Sequence, residues 1–120
     1  MEQNKSNILF SAISPLNNVK VILTQNRFDE HIAVNHPEMK GHEKDIKETI
    51  ERPNAIYEAK RFPEKRKHYI RKTHKNEISE YNNVIIEYDI EQNAHVTTSY
   101  YSEELEGGGN YVYFNFNNKL

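Results

Sequence analysis

The sequence predicts an α+β domain in which two N-terminal helices pack on an antiparallel β-sheet. Two patterns support this prediction. Between residues 24 and 52, apolar side chains recur at intervals of four, as they do along one face of a helix, and each run ends close to a proline. After Pro53 apolar and polar residues alternate in several short segments, which is typical of strands with one buried face.

The chain length and composition predict one domain. The 120 residues include no cysteine, which excludes disulfide bonds and thiolate metal sites. We assign residues 1–18 to a polar, partly disordered arm and residues 19–120 to a single folded domain, and we expect no metal and no cofactor. The apolar patch at residues 8–13 is too short for a signal peptide or a membrane span. The sequence therefore predicts a cytoplasmic protein with no membrane partner.

The first helix is predicted at residues 25–35. Thr24 is a favourable N-cap residue, and Phe28 and Ile32 lie one turn apart on its buried face. Pro37 disfavours helical geometry at the residue before it, so the helix should end near residue 35.

The second helix and five strands complete the predicted layout, after a short apolar strand at residues 19–23. The helix is placed at residues 38–52, with Pro53 ending it. The later strands are predicted at residues 55–59, 67–73, 84–90, 95–101 and 111–116. The expected core between the two layers consists of Phe28, Ile32, Ile46, Ile50, Ile86, Phe114 and Phe116.

Positive charge is concentrated in one part of the chain. Residues 60–75 carry eight Lys and Arg side chains against one acid, Glu64, which gives +7, whereas the whole chain carries −2 and the remainder therefore −9. This window also contains aromatic and histidine side chains, as expected of a surface that binds a phosphate backbone. A solvated hairpin paired with the acidic remainder explains the charge equally well.

Two sets of side chains could support chemistry. Arg27, His31 and Asn35 form a polar stripe along the first helix, where a histidine could act as a general acid or base near neutral pH. Thr98 and Tyr100 share one face of a strand and could donate hydrogen bonds to phosphate oxygens. On spacing alone, an exposed helix histidine without a chemical role and a hydroxyl-rich strand without catalysis remain open.

Several motifs together resemble the phage-associated branch of the barnase, EndoU, colicin D and RelE-like nuclease superfamily. The distinctive element is His31-Ile32 followed by His36-Pro37-Glu38. The other matching segments, within residues 19–105, are Ile22-Leu23-Thr24, Arg27, Ile50-Glu51-Arg52-Pro53, Ile56-Tyr57-Glu58, Tyr69-Ile70-Arg71 and Thr98-Ser99-Tyr100.

The resemblance implies the two-helix fold described above and a metal-independent endoribonuclease of toxin or effector type. Such an enzyme cleaves RNA by attack of the 2′-hydroxyl and leaves a 2′,3′-cyclic phosphate. Carried over by position, the catalytic residues are His31, Arg71, Thr98 and Tyr100. Arg61 is the alternative to Arg71 as the basic residue. The expected RNA-binding residues are Arg27, Lys60, Arg61, Lys65, Arg66, Lys67 and Tyr69.

Two alternative functions remain open at this stage. The chain could be a noncatalytic relative that binds RNA or a protein, because a fold does not determine a function. It could also be an immunity or antitoxin protein, since the acidic remainder of the chain could cover a basic partner. The expected partners are therefore RNA, with tRNA as one candidate, and a cognate immunity or antitoxin protein.

Overall fold

A computed structural model describes residues 7–75, 78–91, 93–106 and 109–115. Within these residues, seven strands form one sheet in the order β1-β2-β6-β5-β4-β3-β7. The strands are β1 (Ile8–Ile13), β2 (Lys20–Thr24), β3 (Ala55–Glu58), β4 (Arg66–Lys75), β5 (Ile78–Tyr88), β6 (Ala94–Ser102) and β7 (Tyr111–Phe114). β2 and β6 pair in parallel, and all the other neighbours pair in antiparallel fashion.

The predicted fold class, two N-terminal helices on an antiparallel sheet, is wrong. The sheet is mixed, two strands precede the first helix, and the helical regions are short. The parallel pairing joins Val21 to Ala94 and Ile22 to His95. Strands that pair in parallel need a long crossover connection, and the alternation within a strand does not reveal so distant a partner.

The predicted N-terminal arm contributes a strand. β1 pairs with β2 along its whole length and forms one edge of the sheet. Asn17 and Asn18 take positive φ angles of 61° and 55° between the two strands, a conformation that asparagine tolerates better than most residues. Residues 1–6 of the arm lie outside the described residues.

The first helical region covers the predicted residues 25–35 but is not a uniform α-helix. It consists of α1 (Gln25–Arg27), a π-helical turn (Phe28–Ile32) and α2 (Ala33–Asn35). The Thr24 hydroxyl accepts a hydrogen bond from the Arg27 backbone N–H, as expected of an N-cap. Phe28 and Ile32 are buried, which confirms the predicted face.

The second helical region begins later than predicted. A 3₁₀ turn (Pro37–Met39) is followed by α3 (Glu43–Glu51). Between them Gly41 has a φ of +82°, which lies outside helical geometry and separates the two segments. Ile46 and Ile50 of α3 are fully buried against the sheet, as predicted.

The core lies between the helical regions and one face of the sheet, and Ile86 belongs to it as predicted. Phe114, however, is 58% exposed, so its predicted burial is wrong. The register between β3 and β7 shifts opposite Ile56 and Tyr57, and this irregularity breaks the alternation that the prediction assumed. The predicted core residue Phe116 lies outside the described residues.

The opposite face of β4, β5 and β6, here called the open face, carries the candidate site. Side chains of successive residues in a strand point to opposite faces. Tyr69 and Val84 therefore lie in the helix-covered core, whereas His68 and Ile85 lie on the open face. No helix in the described part of the chain is both long and apolar enough to cross a membrane.

Candidate functional site

A cavity of about 330 Å³ lies on the open face and combines a histidine, hydroxyl groups and cations. His68, Ile85 and Thr98 form its floor because they are paired in register across β4, β5 and β6. The rest of its lining comes from neighbouring positions and from the loops that follow β3 and β6: Ala59, Lys60, Arg61, Arg66, Thr97, Tyr100 and Glu106.

A bulge in β6 brings two threonines to this cavity. The pairing of Ile85 with Thr98 is followed by that of Ile86 with Val96, so Thr97 is the additional residue. The Thr97 hydroxyl donates to the backbone carbonyl of Ile85 at 3.1 Å. Thr97 and Thr98 consequently both line the cavity, although they are adjacent in sequence.

His68 is held in one tautomer by Asn83. The Asn83 amide nitrogen donates to the Ser102 hydroxyl at 3.0 Å and to the backbone carbonyls of Tyr81 and Tyr100 at 3.3 and 3.4 Å, which directs its oxygen towards His68. That oxygen lies 2.8 Å from His68 Nε2. Since an amide oxygen can only accept, Nε2 carries the proton and Nδ1 keeps a lone pair.

Burial lowers the pKa of His68 from its usual value of 6.5, and the hydrogen bond to Asn83 opposes this effect only in part. His68 is 6% exposed, so the ring is largely removed from water although it lines the cavity. A neutral imidazole with a free Nδ1 at neutral pH has the properties of a general base.

Tyr100 lies beside His68 and is paired with an acid. Its hydroxyl donates to Glu106 Oε1 at 3.1 Å, and its ring centroid lies 6.4 Å from that of His68 and 5.4 Å from that of His36. Burial and the nearby Glu106 carboxylate raise the pKa of Tyr100 to about 12. The phenol is therefore protonated at neutral pH and can donate a proton or a hydrogen bond.

A second cavity, of about 350 Å³, adjoins the first and contains the predicted residue His31. It is lined by Arg27, His31, Arg66, Glu87, His95, Thr97 and Thr98. Arg66, Thr97 and Thr98 line both cavities, so we treat the two as one groove. The groove has four Arg or Lys side chains and two carboxylates in its lining. Arg66 Nε donates to Glu87 at 2.7 Å, and Lys60 and Arg61 are exposed at the rim.

The structure brings together three of the four predicted catalytic residues and excludes the fourth. His31, Thr98 and Tyr100 all line the groove, but Arg71 points to the helix-covered face and is only 3% exposed. Its Nη1 donates to the backbone carbonyl of Arg52 at the C-terminus of α3, at 2.8 Å, where a cation is favoured. The assignment of Arg71 to the phosphate is thus corrected: it anchors a helix.

The predicted RNA-binding residues also divide between the two faces. Arg27, Lys60, Arg61 and Arg66 line the groove. Tyr69 is fully buried, with its hydroxyl 3.0 Å from that of Tyr88, so it cannot stack on a base.

The two remaining predicted cations lie outside the groove. Lys65 and Lys67 line a separate hollow with Tyr88, and Lys67 Nζ lies 5.9 Å from the Tyr88 ring centroid. The basic window is not one continuous strip, because strand residues alternate between faces.

Sequence reasoning missed His68, Asn83 and Glu106 as site residues. His68 alternates with Arg66 in the basic window, and this spacing could have placed both on one face of a strand. Glu106 has no comparable signal, because it reaches Tyr100 only through the course of a loop. In the described part of the chain, no group of three His, Asp or Glu residues is arranged to hold a metal ion.

Comparison of the chain with protein-family models, with curated proteins and with solved structures finds no match.

Proposed function

We propose that the protein is a metal-independent endoribonuclease whose active site is the groove on the open face. The observation that carries the proposal is the cavity in which an oriented, neutral histidine lies beside a protonated tyrosine and a set of cations. These are the groups needed to move a proton from a ribose hydroxyl and to stabilise the charge that forms on phosphorus.

His68 is the general base in this proposal. Its Nδ1 takes the proton of the ribose 2′-hydroxyl while the 2′-oxygen forms a bond to the adjacent phosphorus. The bond from phosphorus to the 5′-oxygen breaks, and the Tyr100 hydroxyl supplies a proton to the departing oxygen. The products are a 2′,3′-cyclic phosphate and a free 5′-hydroxyl, and exchange of protons with water restores both side chains.

The charge on the phosphate is stabilised by cations that reach the cavity from the loop after β3 and from β4. Arg61 and Arg66 replace Arg71 in this role, with Lys60 beside them and the Thr98 hydroxyl as a further donor. His31 and Arg27, at the other end of the groove, contact a neighbouring part of the RNA.

The proposal is tested by incubating the purified protein with single-stranded RNA in excess chelator and identifying the termini. We expect 2′,3′-cyclic phosphate ends, no cleavage of the matching DNA, and a rate that falls about 10²- to 10⁴-fold in His68→Ala. The matched control is His42→Ala, since His42 packs against Tyr101 on the helix-covered face. RNA that is bound without being cut would favour the noncatalytic alternative, and equal loss in both variants would contradict the role of His68.

A further inference from the structure

Phe62, in the turn between β3 and β4, is an aromatic ring exposed to solvent and surrounded by positive charge. It is 42% exposed. The guanidinium carbon of Arg66 lies 4.8 Å from its ring centroid, Lys65 Nζ lies 5.2 Å away and the guanidinium carbon of Arg61 5.6 Å away. These four residues, the Phe62 cluster, combine a flat apolar surface with anion-binding groups.

Backbone hydrogen bonds hold the turn that carries this ring. The Phe62 carbonyl accepts hydrogen bonds from the backbone N–H groups of Lys65 at 3.0 Å and Arg66 at 2.9 Å. Phe62 has a φ of +57°, in the left-handed region that residues with side chains rarely adopt. The turn therefore fixes the backbone from which the ring projects.

The cluster adjoins the groove through shared residues. Arg61 and Arg66 contact the Phe62 ring and also line the cavity that contains His68. Glu87 neutralises part of the positive charge, because its carboxylate oxygens lie 2.7 Å from Arg66 Nε and 3.7 Å from Lys65 Nζ. Arg61 and Lys65 are both exposed, but only Arg61 of these two lines the cavity with His68, whereas Lys65 lines the separate hollow.

We propose that the Phe62 cluster binds one nucleotide of single-stranded RNA next to the scissile phosphate, with the base stacked on Phe62 and a phosphate on Arg61. This inference rests on the proposed function, since it takes RNA as the ligand of the groove. An unpaired nucleotide of RNA joins an aromatic base to an anionic phosphate, which matches the two kinds of group in the cluster. A nucleotide in a duplex fits less well, because its base is already stacked on its neighbours.

A base stacked on Phe62 binds at least as favourably as any single cation contact that it replaces. A cation–π contact at an exposed site favours the contacting arrangement by a factor of about 2 to 5 in its equilibrium constant. A base stacked on an aromatic side chain contributes a factor of about 5 to 150 in affinity. An incoming phosphate also attracts the exposed Arg61 and Lys65 side chains away from the ring, so that the base and the phosphate bind together.

The test uses a fluorescently labelled 2′-O-methyl oligonucleotide, which cannot be cleaved, together with versions that lack one base at successive positions. Phe62→Leu keeps the apolar bulk without the aromatic face, and Phe62→Trp keeps the face and adds a reporter, because the chain contains no tryptophan. We expect Phe62→Leu to lower affinity about 5- to 150-fold. Loss of the base at one position should lower wild-type affinity by a similar factor and should not change the affinity of Phe62→Leu. The emission of Phe62→Trp should be quenched by the intact oligonucleotide and should not be quenched by the version that lacks the base at that position.

The outcomes separate this inference from the function on which it rests. If the wild type binds and cleaves RNA, and Phe62→Leu binds RNA equally well, the stacking subsite alone is overturned. Equal quenching by the intact and all the abasic oligonucleotides overturns it as well. Binding that depends on Phe62 without any cleavage supports the subsite and removes the catalytic proposal. A wild-type protein that cleaves RNA but binds none of the oligonucleotides overturns the subsite alone, and one that neither binds them nor cleaves RNA overturns both.

Discussion

The hydrogen bond between His68 and Asn83 provides the sharpest test of the proposed general base. Asn83 is buried, and its oxygen accepts from His68 Nε2 at 2.8 Å. Asn83→Ala removes this acceptor, whereas Asn83→Asp replaces it with one that is negatively charged. The two substitutions should therefore shift the pKa of His68 in opposite directions.

The directions follow from the contributions to the pKa. Burial lowers the pKa of His68 and the hydrogen bond to Asn83 raises it. Without that bond the pKa falls further, and the acidic limb of kcat/KM moves to lower pH. A carboxylate at the same place favours the charged imidazolium, so in Asn83→Asp the limb moves to higher pH.

The sizes of the effects also differ between the two side chains. A hydrogen bond worth about 0.5–1.5 kcal/mol changes the population of the correct tautomer by a factor of roughly 2 to 13. Asn83→Ala should therefore lower kcat by no more than about tenfold, against about 10²- to 10⁴-fold for His68→Ala. It also leaves the Tyr81 and Tyr100 carbonyls without this donor, which costs about 1–3 kcal/mol and lowers Tm by roughly 4–15 °C.

The assay measures initial rates of RNA cleavage between pH 4.5 and 8.5, below the melting temperature of each variant. The stability of the wild type gives an independent check. Because the pKa of His68 is lower in the folded than in the unfolded state, the unfolded chain binds the proton more readily, and stability falls as the pH drops from 6.5 through the folded pKa. Acidic limbs that coincide in wild type, Asn83→Ala and Asn83→Asp would refute the assignment of His68 as the base.

Two further predictions concern the helix-covered face. Asn82→Ala should lower the free energy of unfolding, measured by urea denaturation, by about 1–3 kcal/mol. The Asn82 side chain accepts a hydrogen bond from the Thr49 hydroxyl of α3 at 2.7 Å and donates one to the Ser99 hydroxyl of β6 at 3.2 Å. An unchanged urea midpoint would contradict its role in joining the helical layer to the sheet. Arg71→Ala should also destabilise the protein, because it removes the hydrogen bond to the Arg52 carbonyl. Its cleavage rate per folded molecule should stay within about twofold of the wild-type rate. A rate as low as that of His68→Ala would show that Arg71 belongs to the active site.

The aromatic residues of β7 show how far the sequence could predict the core. The spacing of Phe28 and Ile32 and of Ile46 and Ile50 identified buried faces correctly, since residues four apart lie on nearly the same side of a helical turn. Alternation in β7 failed at Phe114, because a single irregularity in pairing with β3 reverses which face a residue occupies.

The candidate site was also predictable from the sequence only in part. The side chains with suitable chemistry are present in the sequence, and the spacing of Thr98 and Tyr100 alone predicts that they share one strand face. Their neighbours were not predictable, because the pairing of β4 with β5 and of β5 with β6 decides that His68 and Thr98 share a floor.

The sequence by itself determined where the helical turns and most of the strands lie, because these follow from local spacing, from capping by Thr24 and from the prolines. Only the tertiary structure decided the order of the strands, the parallel contact of β2 with β6, and the face on which each basic residue of β4 lies. The physical reason is that contacts between distant segments depend on which faces can be buried together. Arg71 and Arg66 thus have the same chemistry, but one anchors a helix and the other lines the groove.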